Sequence, residues 1–333
     1  MTKTKKPPSD YRDNILDKVT LGGIVETLSR IPSESADLIL LDPPYNLGVE
    51  YGVHHDKMTP GAYLRWCAVW LDQAAAALKP SGSLFVLISD EFVSELKIVA
   101  HAKFALDDRS GEIGTSIWRL ATRSGDPNGK QDKSNRALHP RHHVIWMYTF
   151  GVNSPKKLTR SHTHILHFVK SPEKHAWYPD DPAVRIPSAR QAVYNDPRAN
   201  PKGRLPDDTW IYLASQLPEH PGLDVWHIPR VCGTFKEKQG TANQLPEALV
   251  ARIVRLSTKP GDLVVDGFCG SGTTAAVAKK LGRHFVTCDT SPAEVAIARR
   301  RLASVKEGDP IGQAPEARKA SARRSLKATK EGT

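Results

Sequence analysis

Residues 262–289 constrain the fold of this 333-residue chain more than any other stretch. Asp262-Leu263-Val264-Val265-Asp266 is a short apolar run between acids, the pattern of a strand buried on both faces. Gly267-Phe268-Cys269-Gly270-Ser271-Gly272 follows, and Thr273 to Leu281 then predicts a helix with Gly282 just past its end. In such a strand–turn–helix unit, glycines let the backbone approach a ligand closely and the helix N-terminus offers partial positive charge. His284-Phe285-Val286-Thr287-Cys288 predicts the next strand. It ends in Asp289, 19 residues past Gly270, near the spacing expected of a ribose-binding acid. The class is therefore α/β, and Asp266, Phe268, Cys269, Gly270, Ser271, Gly272, Thr273 and Asp289 are candidate ligand contacts.

A second unit stands near the start. Leu38-Ile39-Leu40-Leu41 reads as a buried parallel strand, and Asp42-Pro43-Pro44-Tyr45 follows at its C-terminal end, where open α/β sheets bind ligands. Two prolines can continue neither a ladder nor a helix, so the backbone is a stiff loop and the Pro43 carbonyl is not used in secondary structure. The group of residues suits one chemical problem. An exocyclic amino group on a nucleobase is a poor nucleophile because its lone pair is delocalised into the ring. Two acceptors aimed at its N–H bonds, the Asp42 carboxylate and a proline carbonyl, favour a pyramidal nitrogen and act on charge that develops in the transition state. Tyr45 offers a flat face for a base removed from its stack. Read alone, the tetrapeptide is equally a surface turn.

Together the two stretches resemble the S-adenosylmethionine-dependent DNA amino methyltransferases. Asp42-Pro43-Pro44-Tyr45 looks like that family's catalytic motif, and Asp266-Gly267-Phe268-Cys269-Gly270-Ser271-Gly272 looks like its cofactor loop. The catalytic motif comes first and the cofactor loop last, which resembles the beta class, where a target-recognition region lies between them. The resemblance implies a Rossmann-like, doubly wound, mostly parallel sheet of the class I methyltransferase type. It implies S-adenosyl-L-methionine as cofactor and double-stranded DNA as partner, with homodimerisation and a cognate restriction endonuclease as further associations known in the family. Thr241-Ala242-Asn243-Gln244-Leu245-Pro246-Glu247 resembles the family's segment beside the methionine end of the cofactor, which adds Asn243 to the candidate contacts. An aspartate at position 42 is more usual in adenine-N6 enzymes, whereas cytosine-N4 enzymes more often carry serine. The expected activity is thus methylation of the adenine N6 amino group in a flipped-out base, with cytosine-N4 methylation and a catalytically impaired DNA-binding module as alternatives. RNA or protein-glutamine methylation fits less well, because those enzymes place the cofactor loop first. Gly23, Leu245 and Gly267 stand where the family often has aspartate, lysine and proline.

The charge balance agrees with a polyanionic partner. The net formal charge is +11, and residues 119–175 hold eleven Lys and Arg against three Asp and Glu, a net of +8 in about one sixth of the chain. A solvated basic face would spread that charge more evenly. Phosphate contact is therefore expected at Arg119, Arg123, Lys130, Lys133, Arg136, Arg141 and, further on, Arg198. Apolar content of 39% and charged content of 25% are ordinary for a globular chain, and no apolar run approaches the roughly 18 residues of a membrane span. The four cysteines are widely separated and read as reduced thiols of a cytoplasmic, DNA-associated protein. Adjacent histidines such as His54 and His55 usually point apart, and His162, His164 and His167 have no carboxylate or thiol nearby in the sequence, so no metal is expected.

The expected organisation is a basic tail at 1–10, a first catalytic part at 11–119, a recognition region at 120–225, a second catalytic part at 226–303 and a basic disordered tail at 304–333. Strands are expected near Asp17 to Leu21, at Ser83 to Ile88, at Thr115 to Arg119 and at His143 to Tyr148. Helices are expected at Ala62 to Leu78, from Ser89 or Asp90 as cap to about Lys103, from Pro246 at the first helical position to about Ser257, and from a Ser291-Pro292-Ala293-Glu294 capping box to about Leu302.

Overall fold

The computed structural model describes residues 14–48, 50–51, 54–101, 138–148, 158, 161–186, 188–192, 194–210, 228, 230–231, 237–241 and 243–312. In chain order the elements are β1 (Lys18–Leu21), α1 (Ile24–Arg30), β2 (Ala36–Leu41), β3 (Glu50–Tyr51), β4 (His54–His55), α2 (Pro60–Ala77), β5 (Leu78–Ile88) and α3 (Val93–His101). They continue with β6 (His139–Met147), β7 (His162–Val169), a 3-10 turn at Pro182–Val184, α4 (Ala189–Ala192), β8 (Thr209–Trp210), α5 (Glu247–Ser257), β9 (Leu263–Asp266), α6 (Thr273–Lys280), β10 (His284–Asp289) and α7 (Pro292–Ser304).

Among the described residues one eight-stranded sheet runs in the order β1-β10-β9-β2-β5-β7-β6-β8, and β3 and β4 form a separate antiparallel ribbon. The first five strands of that order are mutually parallel. β7 runs antiparallel to β5 and β6, and β8 runs parallel to β6. This is the doubly wound α/β sheet expected from the sequence. The expected strand at Thr115 to Arg119 lies outside the described residues.

The two sheet faces are covered by different helices. β2 alternates its side chains into both layers. Ile39 and Leu41 pack with α1, α2 and α3, while Leu38 and Leu40 pack with α5, α6 and α7. All four are at most 1% exposed, and each such burial is worth about 1.5–3 kcal/mol. α2 forms because Thr59 caps it, Pro60 opens it, and Tyr63, Cys67, Trp70, Ala74 and Ala77 recur at helical spacing to make a buried stripe. α7 is opened in the same way by Ser291, whose Oγ accepts from the Glu294 N–H, and Pro292.

Three local expectations are corrected. Pro246 is the N-cap of α5 in extended conformation, and the helix proper begins at Glu247. α3 starts at Val93, after a turn in which Phe92 N–H donates to the Ser89 carbonyl. The Ser89 hydroxyl is buried at the end of β5 and makes no capping hydrogen bond. Past α7 the chain stays packed as far as Gly312, whose N–H donates to Glu247 Oε2 at 2.6 Å, so any free tail starts later than residue 304.

The winding creates the site. From β2 the chain proceeds through α2 to β5, on one side of β2 and over one face. From β9 it proceeds through α6 to β10, in the opposite direction and over the other face. The C-terminal ends of β2 and β9 therefore part at a topological switch point, the place where such sheets bind ligands.

Candidate active site

Asp42 to Tyr45 leave β2 at this switch point. Asp42 is half-buried, and burial lifts its carboxyl to about 6, against the hydrogen bond from Tyr45. Tyr45 Oη donates to Asp42 Oδ1 at 2.6 Å. The two prolines differ. The Pro44 carbonyl accepts from Tyr63 Oη of α2 at 2.9 Å, whereas among the described residues no hydrogen bond reaches the Pro43 carbonyl. The carbonyl left free for a ligand is thus the one adjacent to Asp42.

The loop is fastened from outside. Asp56 accepts the Asn46 and Leu47 N–H groups at 2.6 and 2.9 Å, and the Gly48 N–H donates to the Asp56 carbonyl. The Asn46 amide both donates to the Met58 carbonyl and accepts its N–H, with Asn46 at φ +58°. Residues 46–48 and 56–58 are therefore clasped together beside Asp42 to Tyr45. Asp56 is 3% exposed, and no sequence motif marks it.

The second wall is the loop after β9. Gly270 (φ +46°) and Gly272 (φ +75°) adopt left-handed backbone. At Gly270 a Cβ would enter open space, so the bare backbone faces the cleft; at Gly272 a Cβ would meet Ala298 of α7 at 2.9 Å. Asp289 supports the loop: its Oδ2 accepts the Gly270 N–H and its Oδ1 the Ser291 N–H, both at 2.9 Å. Phe268 lies edge-on to Trp66 and Trp70 of α2, with centroids 5.7 and 6.3 Å away. Asp266 accepts the Phe268 N–H at 3.0 Å, yet burial, with Asp42 and Asp289 nearby, lifts its carboxyl to about 7.

One cleft joins the two walls. Asp42 lines it together with Asp266, Phe268, Cys269, Gly270, Ser271, Thr273 and Asn243, so eight of the residues singled out in the sequence come together. Gly272 and Asp289 shape it from behind. Leu40, Thr241, Gln244, Leu245 and Thr274 complete the lining. Thr241 and Gln244 belong with Asn243 to the 241–247 segment, whose family resemblance is their signal in the sequence. Cys269 is buried and its thiol pushed up by burial and by Asp266, so it packs rather than reacts.

Of the expected DNA contacts, Arg119, Arg123, Lys130, Lys133 and Arg136 lie outside the described residues. Arg141 is exposed on β6. Arg198 is exposed and grips Asp196 with two nitrogens, at 2.9 and 3.0 Å. Among the described residues no helix is long and apolar enough to cross a membrane, and Cys67, Cys269 and Cys288 are free thiols.

Residues 36–300 match the DNA methylase family of N6 and N4 methyltransferases. The chain belongs to this family. It is 31% identical over 291 residues to the type II methyltransferase M.BglII of Bacillus subtilis, covering 87% of this chain and 70% of that protein. It is 27% identical over 282 residues to the DNA adenine methyltransferase YhdJ of Escherichia coli K12, covering 84% and 81%. The solved PvuII DNA methyltransferase, described as cytosine-N4-specific, shares its fold with a TM-score of 0.52 at 17% identity, over 85% of each chain. As a family member the chain is a DNA amino-methyltransferase with S-adenosylmethionine as its cofactor.

The cleft fits that cofactor. Two carboxylates, Asp42 and Asp266, line it, both with raised affinity for a proton, so the site favours added positive charge. Gly270 puts no side chain into the cleft, and the buried Thr241 hydroxyl, without a hydrogen-bond partner among the described residues, supplies a polar contact. When bound, S-adenosylmethionine supplies a methyl group on a cationic sulfur.

Proposed function

We propose that this enzyme methylates the N6 amino group of adenine in duplex DNA, on a base rotated out of its stack. The observation that carries the reading is the Asp42 carboxylate in the lining of the cofactor cleft, followed in the chain by Pro43, whose carbonyl takes no hydrogen bond among the described residues. Asp42 accepts one N–H of the amine and Pro43 the other, which localises the lone pair on nitrogen. As the nitrogen gains positive charge, the Asp42 oxygens stabilise it and take up its proton. Asp266, Phe268, Cys269, Gly270, Ser271, Gly272, Thr273, Asn243 and Asp289 hold the cofactor. Tyr45 orients Asp42 through its hydroxyl and presents its ring to the base.

The choice of adenine is supported by aspartate at position 42 and by the resemblance to an enzyme named as an adenine methyltransferase. Residues 120–225 serve as the recognition region, with phosphate contacts from Arg119, Arg123, Lys130, Lys133, Arg136, Arg141 and Arg198. The test is to incubate the protein with unmethylated genomic DNA and cofactor, digest to nucleosides and analyse them by mass spectrometry. N6-methyladenine is expected. N4-methylcytosine instead would replace the base and keep the chemistry, and neither product would favour a binder without turnover.

A further inference from the structure

Two buried charged side chains lie behind the cofactor cleft without lining it. Arg301, on the last turn of α7, is 5% exposed, and Glu247, the first residue of α5, is 2% exposed. Arg301 Nη1 donates to Thr273 Oγ1 at 2.9 Å and lies within 3.3 Å of both the carbonyl and the hydroxyl of Ser271. Its Nη2 donates to Glu247 Oε1 at 2.8 Å. Glu247 is held in turn: its Oε2 accepts from Lys280 Nζ at 2.7 Å and from the Gly312 N–H at 2.6 Å, and its own N–H donates to Glu237 Oε2 at 3.1 Å.

Those partners connect two stretches of the cleft wall. Ser271 belongs to the loop after β9 and Thr273 opens α6. Glu247 follows the segment from Thr241 to Pro246, whose Thr241, Asn243, Gln244 and Leu245 also line the cleft. Two further ties join the stretches, Lys280 of α6 to Glu247 at 2.7 Å and Thr273 Oγ1 to the Leu245 carbonyl at 3.3 Å. A guanidinium is suited to such a bridge because its donors are fixed in one plane and can serve two acceptors at once, which an ammonium on a flexible stem does less well.

We propose that Arg301, acting through Glu247, is a positioning residue that sets the width of the cofactor cleft and hence affinity for S-adenosylmethionine, without taking part in methyl transfer. The proposal rests on the assignment of this cleft to the cofactor, and not on the choice of adenine. The catalytic loop is fastened separately, by Tyr63, Asp56 and Asn46, so loss of the bridge leaves Asp42 and Pro43 in place.

Removing either partner outright leaves a buried charge unpaired and endangers folding. The test therefore uses R301K, which keeps the charge opposite Glu247 but cannot reach both stretches. Its control is R299K on the same helix. Among the described residues Arg299 donates to the Val19 carbonyl alone, at 2.8 and 3.1 Å, on the side of α7 toward β1. The readouts are calorimetric titration with S-adenosylhomocysteine, steady-state kinetics and the thermal midpoint. R301K should weaken cofactor binding and raise KM for S-adenosylmethionine about tenfold, with kcat at saturation nearly unchanged. R299K should lower the thermal midpoint to a similar degree and leave affinity alone. Equal affinity in the two variants overturns the proposal, as does a fall in kcat with KM unchanged. Cofactor binding by the wild-type protein without N6-methyladenine would remove the adenine reading and leave this one standing.

Discussion

Two loops leave neighbouring strands at the same sheet edge, and they are made rigid by opposite means. The loop after β2 is stiff in its covalent chemistry. Pro43 and Pro44 fix their own φ angles, restrict the residues before them, and contribute no N–H to be satisfied. The loop after β9 is built from glycines that, by themselves, are the most flexible residues, and it is rigid only because Asp289, Ala298 and Arg301 hold it. The difference follows from what each must present. The catalytic loop offers one carboxylate and one carbonyl, and proline frees that carbonyl from secondary structure. The loop after β9 brings its backbone close to the cleft at Gly270, where a side chain would cover it, while the N–H groups of Phe268, Cys269, Gly270 and Gly272 are used within the protein. Rigidity in the first should therefore survive changes around it, while rigidity in the second should depend on its neighbours.

The largest expected effect breaks the comparison at its chemical end. Asp42→Ala should reduce turnover about a thousandfold or more while calorimetry still shows cofactor binding, because the carboxylate acts on the amine and not on the loop's shape. Turnover within tenfold of wild type would show that the acceptor lies elsewhere.

The second effect is a pH dependence. The proposed chemistry requires Asp42 ionised, to accept an N–H and later a proton, and burial raises it to about 6. Activity is then present above that value and lost as pH falls through it, with kcat/KM dropping about tenfold per unit once the group is protonated. Asp266, raised to about 7 in the same cleft, couples to it, so the limb belongs to the pair and falls between about 6 and 7. Added positive charge favours both ionised forms, so the limb in kcat should lie at lower pH than the limb in kcat/KM. An acid limb near the ordinary aspartate value would mean that the cleft is wetter than its burial implies.

A smaller effect tests the clasp. Asp56→Ala removes the acceptor for two N–H groups just past Tyr45 and should lower kcat by roughly tenfold with KM for the cofactor little changed, since a mispositioned loop costs orientation. A change confined to cofactor KM would place Asp56 with the other loop. The residue also shows where the sequence stops being informative. Asp42, the glycines and Asp289 are legible because strand, loop and helix follow one another locally, and the chemistry demands fixed spacings between them. Their supports are not. Asp56 lies 10 residues from Asn46, Tyr63 lies 19 from Pro44, and Arg301 lies 28 from Thr273 and 54 from Glu247. Those contacts exist only after the sheet has formed, and no periodicity announces them. The same holds for β6 to β8, whose antiparallel and parallel pairings depend on connections that carry no local signal.

The smallest effect concerns Gly267, where the family often has proline. The position has no positive φ, so its glycine is not there for backbone freedom. A Cβ at 267 would lie 2.4 Å from Cδ1 and Cγ1 of Ile24, at the start of α1. Ile24 thus occupies the space that a side chain at 267 would need. Gly267→Ala alone should therefore destabilise the fold by about 1–3 kcal/mol through overpacking, seen as a lower thermal midpoint, with cofactor affinity reduced only to the extent that the loop shifts. Ile24→Ala alone should also destabilise, by leaving a cavity. Combined, the two changes should cost less than their sum, since each removes the fault the other creates, and a double-mutant cycle would measure that coupling directly. Strict additivity would mean that Ile24 has room to move aside. The cofactor loop would then be less dependent on its neighbours than its glycines suggest, and the contrast with the proline-stiffened loop would weaken accordingly.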